Sequence, residues 1–130
     1  MLIIHGNLKT MEGKDYADGF IRIADGKIAA IGDMGECPQD LFKKGSEEKI
    51  LNAKGNLVLP GIIEAHCHMG ITEEKKGMEG DDCNENVNPI TPYLRAIDAI
   101  NPMDAAFNDA LQAGINSATI GPGSANVGGG

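Results

Sequence analysis

Residues 60–70 read PGIIEAHCHMG, and the fold turns on whether this run is a strand. Pro60-Gly61 breaks the preceding segment, and Ile62 to His68 follows as a short apolar run of strand rather than helix length. On an extended backbone successive side chains alternate faces. His66 and His68 therefore point the same way, Glu64 lies on that face two residues back, and Cys67 points to the other as a packed core residue. Two of the chain's three histidines thus share one side of one strand, where both imidazoles can reach a single ion at Zn–N distances near ~2.0–2.1 Å. On the inward face of a buried strand, two such rings are unsatisfied polar groups unless something binds them.

Beyond this strand the pattern changes. Met69 to Pro89 has no periodicity and carries Glu73, Glu74, Glu79, Asp81, Asp82 and Glu85 against Lys75 and Lys76. It reads as a long acidic loop, a length usually reserved for functional lids or disordered segments. Thr91-Pro92 has the form of an N-cap followed by proline at the first helical position, opening a short helix through Ile100. Asn101-Pro102 repeats that start, with Asp104 in the first turn, for a second helix to about Ala113 that Gly114 stops. Ala106, Phe107, Ala110, Leu111 and Ala113 give it an apolar stripe. Ile115 to Gly121 then reads as a strand. The order strand, loop, helix, strand is a βαβ unit with parallel strands. The end, GPGSANVGGG, reads as loop, its three last glycines as a linker or a cut edge.

Before the histidine strand the chain reads as small antiparallel strands. Leu2 to Ile4 is an apolar strand start. GFIRIADGKIAAIG is a hairpin, Phe20 to Ala24 and Lys27 to Ile31, because Asp25-Gly26 suits the positive φ values of a type I′ turn. Ile21 and Ile23 share one face, Phe20 and Arg22 the other. Such a meander needs a second layer, and no partner for it is visible in the sequence. Residues 33–49 read as a polar surface connection with one short helical turn. Ile50-Leu51 and Leu57 to Leu59 read as two strand pieces around a turn at Ala53 to Asn56. His5 falls in the first strand region as a surface or edge residue.

The 130 residues carry a formal charge of −8, which leaves no basic stripe for nucleic acid. No run approaches the ~20 apolar residues of a membrane span, and the opening residues do not form a signal peptide. Three irregularly spaced cysteines, Cys37, Cys67 and Cys83, argue against a disulfide framework and for a reducing cytoplasm. Tryptophan is absent and aromatics are scarce, which suits mixed sheet and helix rather than an aromatic-rich binding module.

DGFIRIADGKIAAIGD, followed by LVLPGIIEAHCHMG, resembles the N-terminal portion of amidohydrolase-superfamily metalloenzymes, in particular the imidazolonepropionase-related hydrolases. LRAIDAINPMDAAF and GPGSANV resemble the same group, so the likeness covers nearly the whole chain. An aspartate is commoner where Glu64 stands. The resemblance implies an α/β fold: a partial β-sandwich over 1–57, then over 58–130 the first βαβ unit of a (β/α)8 TIM-like barrel, incomplete in this chain. It implies that His66 and His68 are first-strand ligands of a divalent metal, most readily zinc, and that Ser124 and Asn126 lie in a loop touching substrate. Further ligands and the general base, an aspartate of the last strand, are expected outside these residues.

The function expected is that of a fragment of a metal-dependent amidohydrolase. It would cleave C–N bonds of a small nitrogen-containing substrate by metal-activated water, be inert alone, and self-associate or dock a complementary chain. The acidic loop would close over the site and favour a cationic or nitrogen-rich substrate. Two other readings compete: a non-catalytic α/β assembly module with a vestigial histidine pair, and a small structural zinc site using Cys83.

Overall fold

A single strand, β1 (Leu2–Leu8), organises the first unit of the chain, Met1–Pro60. β2 (Tyr16–Ala24) pairs with it antiparallel, and β3 (Lys27–Asp33) pairs antiparallel with β2. Asp25 and Gly26 join the last two at φ 51° and 71°, the left-handed pair that a type I′ turn requires. On the other side of β1 lie β4 (Ile50–Asn52) and β5 (Leu57–Val58), both parallel to it and met in succession. The turn between them, with Lys54 and Gly55 at positive φ, is matched on β1 by His5 at φ 53°. Residues 1–43, 48–74, 76–124 and 127–128 are described in this computed structural model.

The irregularity at His5 decides which way the strand's leucines face. Leu2 and Ile4 are buried with Phe20, Cys37 and Leu41 in one apolar cluster, with Ala30 and Met34 packed against it. Strict alternation would put Leu8 on the same side. The register shifts between Ile3 and Gly6, and Leu8 instead lines the opposite face with Ile3, Ile21, Ile23, Ile28 and Ile31, as an inserted residue demands. The polar stretch after β3 is not a plain surface connection. It folds as two 3-10 turns, Met34–Glu36 and Gln39–Phe42, and drives Cys37 and Leu41 into the core. That segment is the covering layer for one face of the meander; the other face remains an apolar groove of about 520 Å³.

The second unit, Gly61–Gly130, is a βαβ unit at heart. β6 (Ile62–Cys67) is followed by the two-residue β7 (Ile90–Thr91), the single helical turn α1 (Ala96–Ala99) and α2 (Ala105–Gln112). β8 (Ile115–Ile120) then pairs parallel with β6, and β9 (Val127–Gly128) parallel with β7. Gly114 ends α2 at φ 89° and passes its carbonyl to the Ile62 amide at 2.9 Å.

Four expectations are corrected. Thr91 does not cap a helix: it closes β7, and α1 begins five residues later. Asn101-Pro102 makes a turn in which the Asn101 side chain accepts from the Met103 amide at 3.0 Å. Asp104 is the N-cap of α2, accepting from the Ala106 amide. Nor is the acidic stretch after β6 a featureless loop. Thr72 bridges to Asp81, Glu73 N–H donates to the Gly80 carbonyl, and Ile71 and Cys83 are buried. Finally, Val127–Gly128 is a strand rather than loop. Asn126, Gly129 and Gly130 lie outside the described residues.

Candidate metal centre

His66 stands near the end of β6 and His68 directly follows its last residue. Their ring centres are 5.1 Å apart and the planes meet at 82°, so the alternation expected of a strand does bring the two imidazoles together. Two imidazoles sharing a tetrahedral cation at ~2.0–2.1 Å from each nitrogen hold their ring centres about 5 Å apart. The pair as it stands fits that requirement.

The second ring is oriented from the neighbouring strand. His68 Nδ1 lies 2.7 Å from the carbonyl oxygen of Gly121, the residue after β8. A carbonyl only accepts, so Nδ1 carries the proton and Nε2 keeps its lone pair free for a ligand; this arrangement is typical of metal-bound histidine. Gly121 N–H in turn donates to the Cys67 carbonyl at 3.1 Å, continuing the parallel ladder past the strand ends. His66 is exposed rather than inward-facing, because no layer of described residues covers that part of the two-stranded sheet. Glu64 turns back on its own strand, its Oε1 accepting from the His66 amide at 3.1 Å, and so does not join the pair. Cys67 is half-buried, its thiol directed at the Thr119 carbonyl.

The turn after the histidines is tightly specified. The His68 carbonyl accepts from the amides of Ile71 and Thr72 at 3.0 and 2.9 Å. Gly70 sits at φ 75°, gives its carbonyl to the Asn101 amide at 2.9 Å, and donates its own N–H to Asp104 Oδ2 at 3.2 Å. The Glu74 amide donates to Oδ1 of the same carboxylate at 3.1 Å. Beside it, the Lys76 ammonium and then the Asn101 amide hold the Glu73 carboxyl below the usual glutamate range.

A cleft of about 250 Å³ lies in the same unit, with Cys83, Thr91, Tyr93, Arg95, Asp98 and Gly123 among its lining residues. Arg95 clasps Asp98 through two hydrogen bonds of 3.0 and 2.9 Å, which raises the guanidinium's pKa and lowers the carboxyl's. Sequence reasoning passed over Tyr93 and Arg95, although TPYLR at the end of the acidic stretch marks the chain's return to order. Ser124 is an exposed turn residue next to the cleft's Gly123; Asn126 is not among the described residues.

The structural zinc reading centred on Cys83 finds no ligand set. Among the described residues no group of three or more histidine, cysteine, aspartate or glutamate side chains gathers to hold a metal. His5 lies in the first unit, exposed and bonded to Asp18 at 2.9 Å. Among those residues no helix is long and apolar enough to cross a membrane.

No family model matches the chain. Individual relatives do. An amidohydrolase of Hapsidospora irregularis is 35% identical over 109 residues, 83% of this chain and 10% of the relative. The imidazolonepropionase of a Geobacillus strain is 37% identical over 51 residues, 39% of this chain and 12% of the enzyme. The crystal structure of an amidohydrolase from Thermotoga maritima superimposes with a TM-score of 0.79 at 30% identity, over 96% of this chain and 30% of that one. The chain belongs to the amidohydrolase superfamily. Its mixed α/β fold is that of an amidohydrolase, its relatives include imidazolonepropionases, and it spans about a tenth of the length of the first curated relatives it matches.

Proposed function

We propose that this chain contributes the opening part of a metal-dependent hydrolase of C–N bonds, with His66 and His68 as metal ligands. On this reading the first unit is part of a β-sandwich, and the second is the first strand–helix–strand unit of a (β/α)8 barrel. The observation that carries the proposal is the pair of imidazoles, 5.1 Å apart, with His68 Nδ1 committed to the Gly121 carbonyl. Relatives named amidohydrolase, allantoinase and imidazolonepropionase support the reaction class and a small nitrogen-containing substrate.

His66 and His68 would hold a divalent cation, zinc by the chemistry of paired imidazoles, which would supply Lewis-acid polarisation and activation of water. The residues of this chain hold and orient. His66 and His68 present their nitrogens, Gly121 fixes the tautomer of the second, and Ser124 and Asn126 are assigned to substrate contact on the resemblance alone. No described residue is assigned as the general base. A catalytic zinc site takes three protein ligands, and this pair supplies two, so the 130 residues by themselves are expected to be inert.

Metal analysis of protein purified without chelator tests the reading. Near-stoichiometric metal in the wild type, lost in His66→Ala and in His68→Ala, is the expected result. Equal metal in all three proteins removes the histidines from the site. A second reading, an assembly module with a vestigial histidine pair, draws on the uncovered apolar groove of the first unit, where Ile28 is 66% exposed. It calls for concentration-dependent self-association, or capture of a complementary chain, with no metal in any of the proteins.

A further inference from the structure

We propose that Asp104 is the positioning residue of the histidine pair: its carboxylate, buried at the head of α2, holds the turn that follows His68 and so fixes where His68 presents Nε2. The proposal rests on the metal-ligand reading of His66 and His68 and adds a residue to it. Asp104 is 7% exposed, and an N-cap needs to accept only one or two amides of its own helix. This one does more. Oδ2 accepts from Gly70 at 3.2 Å, Oδ1 accepts from Glu74 at 3.1 Å, and Oδ1 also receives the cap bond from Ala106 at 3.4 Å. Both ends of the turn from Gly70 to Glu74 are thus pinned to one side chain 30 to 34 residues away in sequence.

The turn is closely packed at the end that adjoins His68. The His68 carbonyl already receives Ile71 and Thr72, the Gly70 carbonyl receives Asn101, and Ile71 is 1% exposed. Gly70 is packed so closely that a Cβ would lie 2.9 Å from the Asn101 oxygen. His68 is therefore gripped at two points, at its ring by Gly121 and at its backbone by a turn that Asp104 closes. Removing the carboxylate takes the acceptor from the buried Gly70 N–H and from the part-buried Glu74 N–H, and the turn must shift at Gly70 for that amide to find another.

The test compares the full chain with Asp104→Ser, which retains an N-cap acceptor for Ala106 but has no second oxygen to span the turn. Asp104→Asn, which keeps the shape and one acceptor, is the conservative variant, and Asp109→Gly loosens the exposed side of α2 without touching the turn. Two quantities are read: the His68 ring tautomer, from long-range nitrogen–proton correlations at mildly alkaline pH, and the affinity for Co²⁺ in competition with a chelating dye. In the wild type and in Asp109→Gly, His68 is expected to hold its proton on Nδ1. In Asp104→Ser the two tautomers are expected to mix and Co²⁺ affinity to fall about 10–100-fold, the usual effect of losing an outer-sphere partner. Asp104→Asn should fall between them.

A folded Asp104→Ser with an unchanged tautomer and unchanged affinity overturns the positioning role; should that variant not fold, the same result in Asp104→Asn does so. A tautomer released by substitution, with no Co²⁺ bound by any of the proteins, instead overturns the metal reading while the clamp on His68 stands.

Discussion

At Gly70 the backbone has φ 75°, and an added Cβ would approach both the Asn101 carbonyl oxygen and the Phe107 ring to 2.9 Å. Backbone on one side and a half-buried ring on the other leave little room to yield, so Gly70→Ala combines left-handed strain with overpacking. A loss of about 1–3 kcal/mol in urea unfolding is expected. Gly35→Ala, where nothing lies within 4 Å of the new methyl and φ is not positive, should leave the midpoint within error. Residues of this kind divide sharply in how well the sequence discloses them. That His66 and His68 face one way follows from the two-residue repeat of any strand, whatever surrounds it. That His66 is exposed, that His68 bonds Gly121 at a separation of 53 residues, and that Asp104 reaches back to Gly70 depend on what the chain folds against. Local pattern carries no trace of those pairings.

Hairpins, caps and turns show the same division one level up. The β2–β3 hairpin was legible because Asp-Gly is among the few dipeptides that accept two positive φ angles, and Gly26→Ala at φ 71° should cost about 1 kcal/mol, measured by the same urea titration. The 3-10 segment after β3 was not legible, since its two inward residues, Cys37 and Leu41, are outnumbered by polar neighbours and follow no helical or strand repeat. Its weight is testable through the residue it covers. Phe20→Ala should cost about 3–5 kcal/mol because Phe20 is 4% exposed, while Ile28→Ala, at a 66% exposed position of the adjoining strand, should cost far less. The helix starts were misplaced because Thr-Pro and Asn-Pro open turns as readily as helices. Charge also ties elements together. Glu48, bonded to the Met1 amino group and to Arg22 at 2.8 Å each, is held below the ordinary glutamate range by those two partners, the amino group first. The folded state therefore binds its proton more weakly than the unfolded chain. Glu48 stabilises the first unit above about pH 4.3, and the benefit disappears as pH falls through the depressed folded value. The gap in unfolding midpoint between wild type and Glu48→Gln should accordingly be present at neutral pH, close in acid, and shrink with added salt.

Over the whole molecule, each of the two units keeps apolar surface open. In the first, the groove of about 520 Å³ has Ile3, Ile21, Ile23, Ile28 and Ile31 along it; in the second, Ile62 and Ile63 of β6 are exposed. The groove should take up an environment-sensitive apolar dye, and Ile28→Lys with Ile31→Lys should abolish most of that fluorescence without unfolding the protein; undiminished fluorescence would place the dye elsewhere. A missing layer over the hairpin was foreseeable, because a meander with isoleucines on one side and phenylalanine on the other has more apolar surface than one small sheet can bury. Which side would be covered was not, since that depends on the extra residue at His5 and on the fold of the segment after β3. The two edges of β1 are claimed at different distances along the chain: β2 takes one of them early, Leu2 meeting Arg22 and Leu8 meeting Tyr16. On the other edge Leu2 waits for Ile50 and Leu8 for Val58, roughly fifty residues away, whereas β2 and β3 meet across two. That second edge of β1 is an unclaimed template until β4 and β5 arrive, and a truncation before Val58 would leave it open to recruit a stranger's strand.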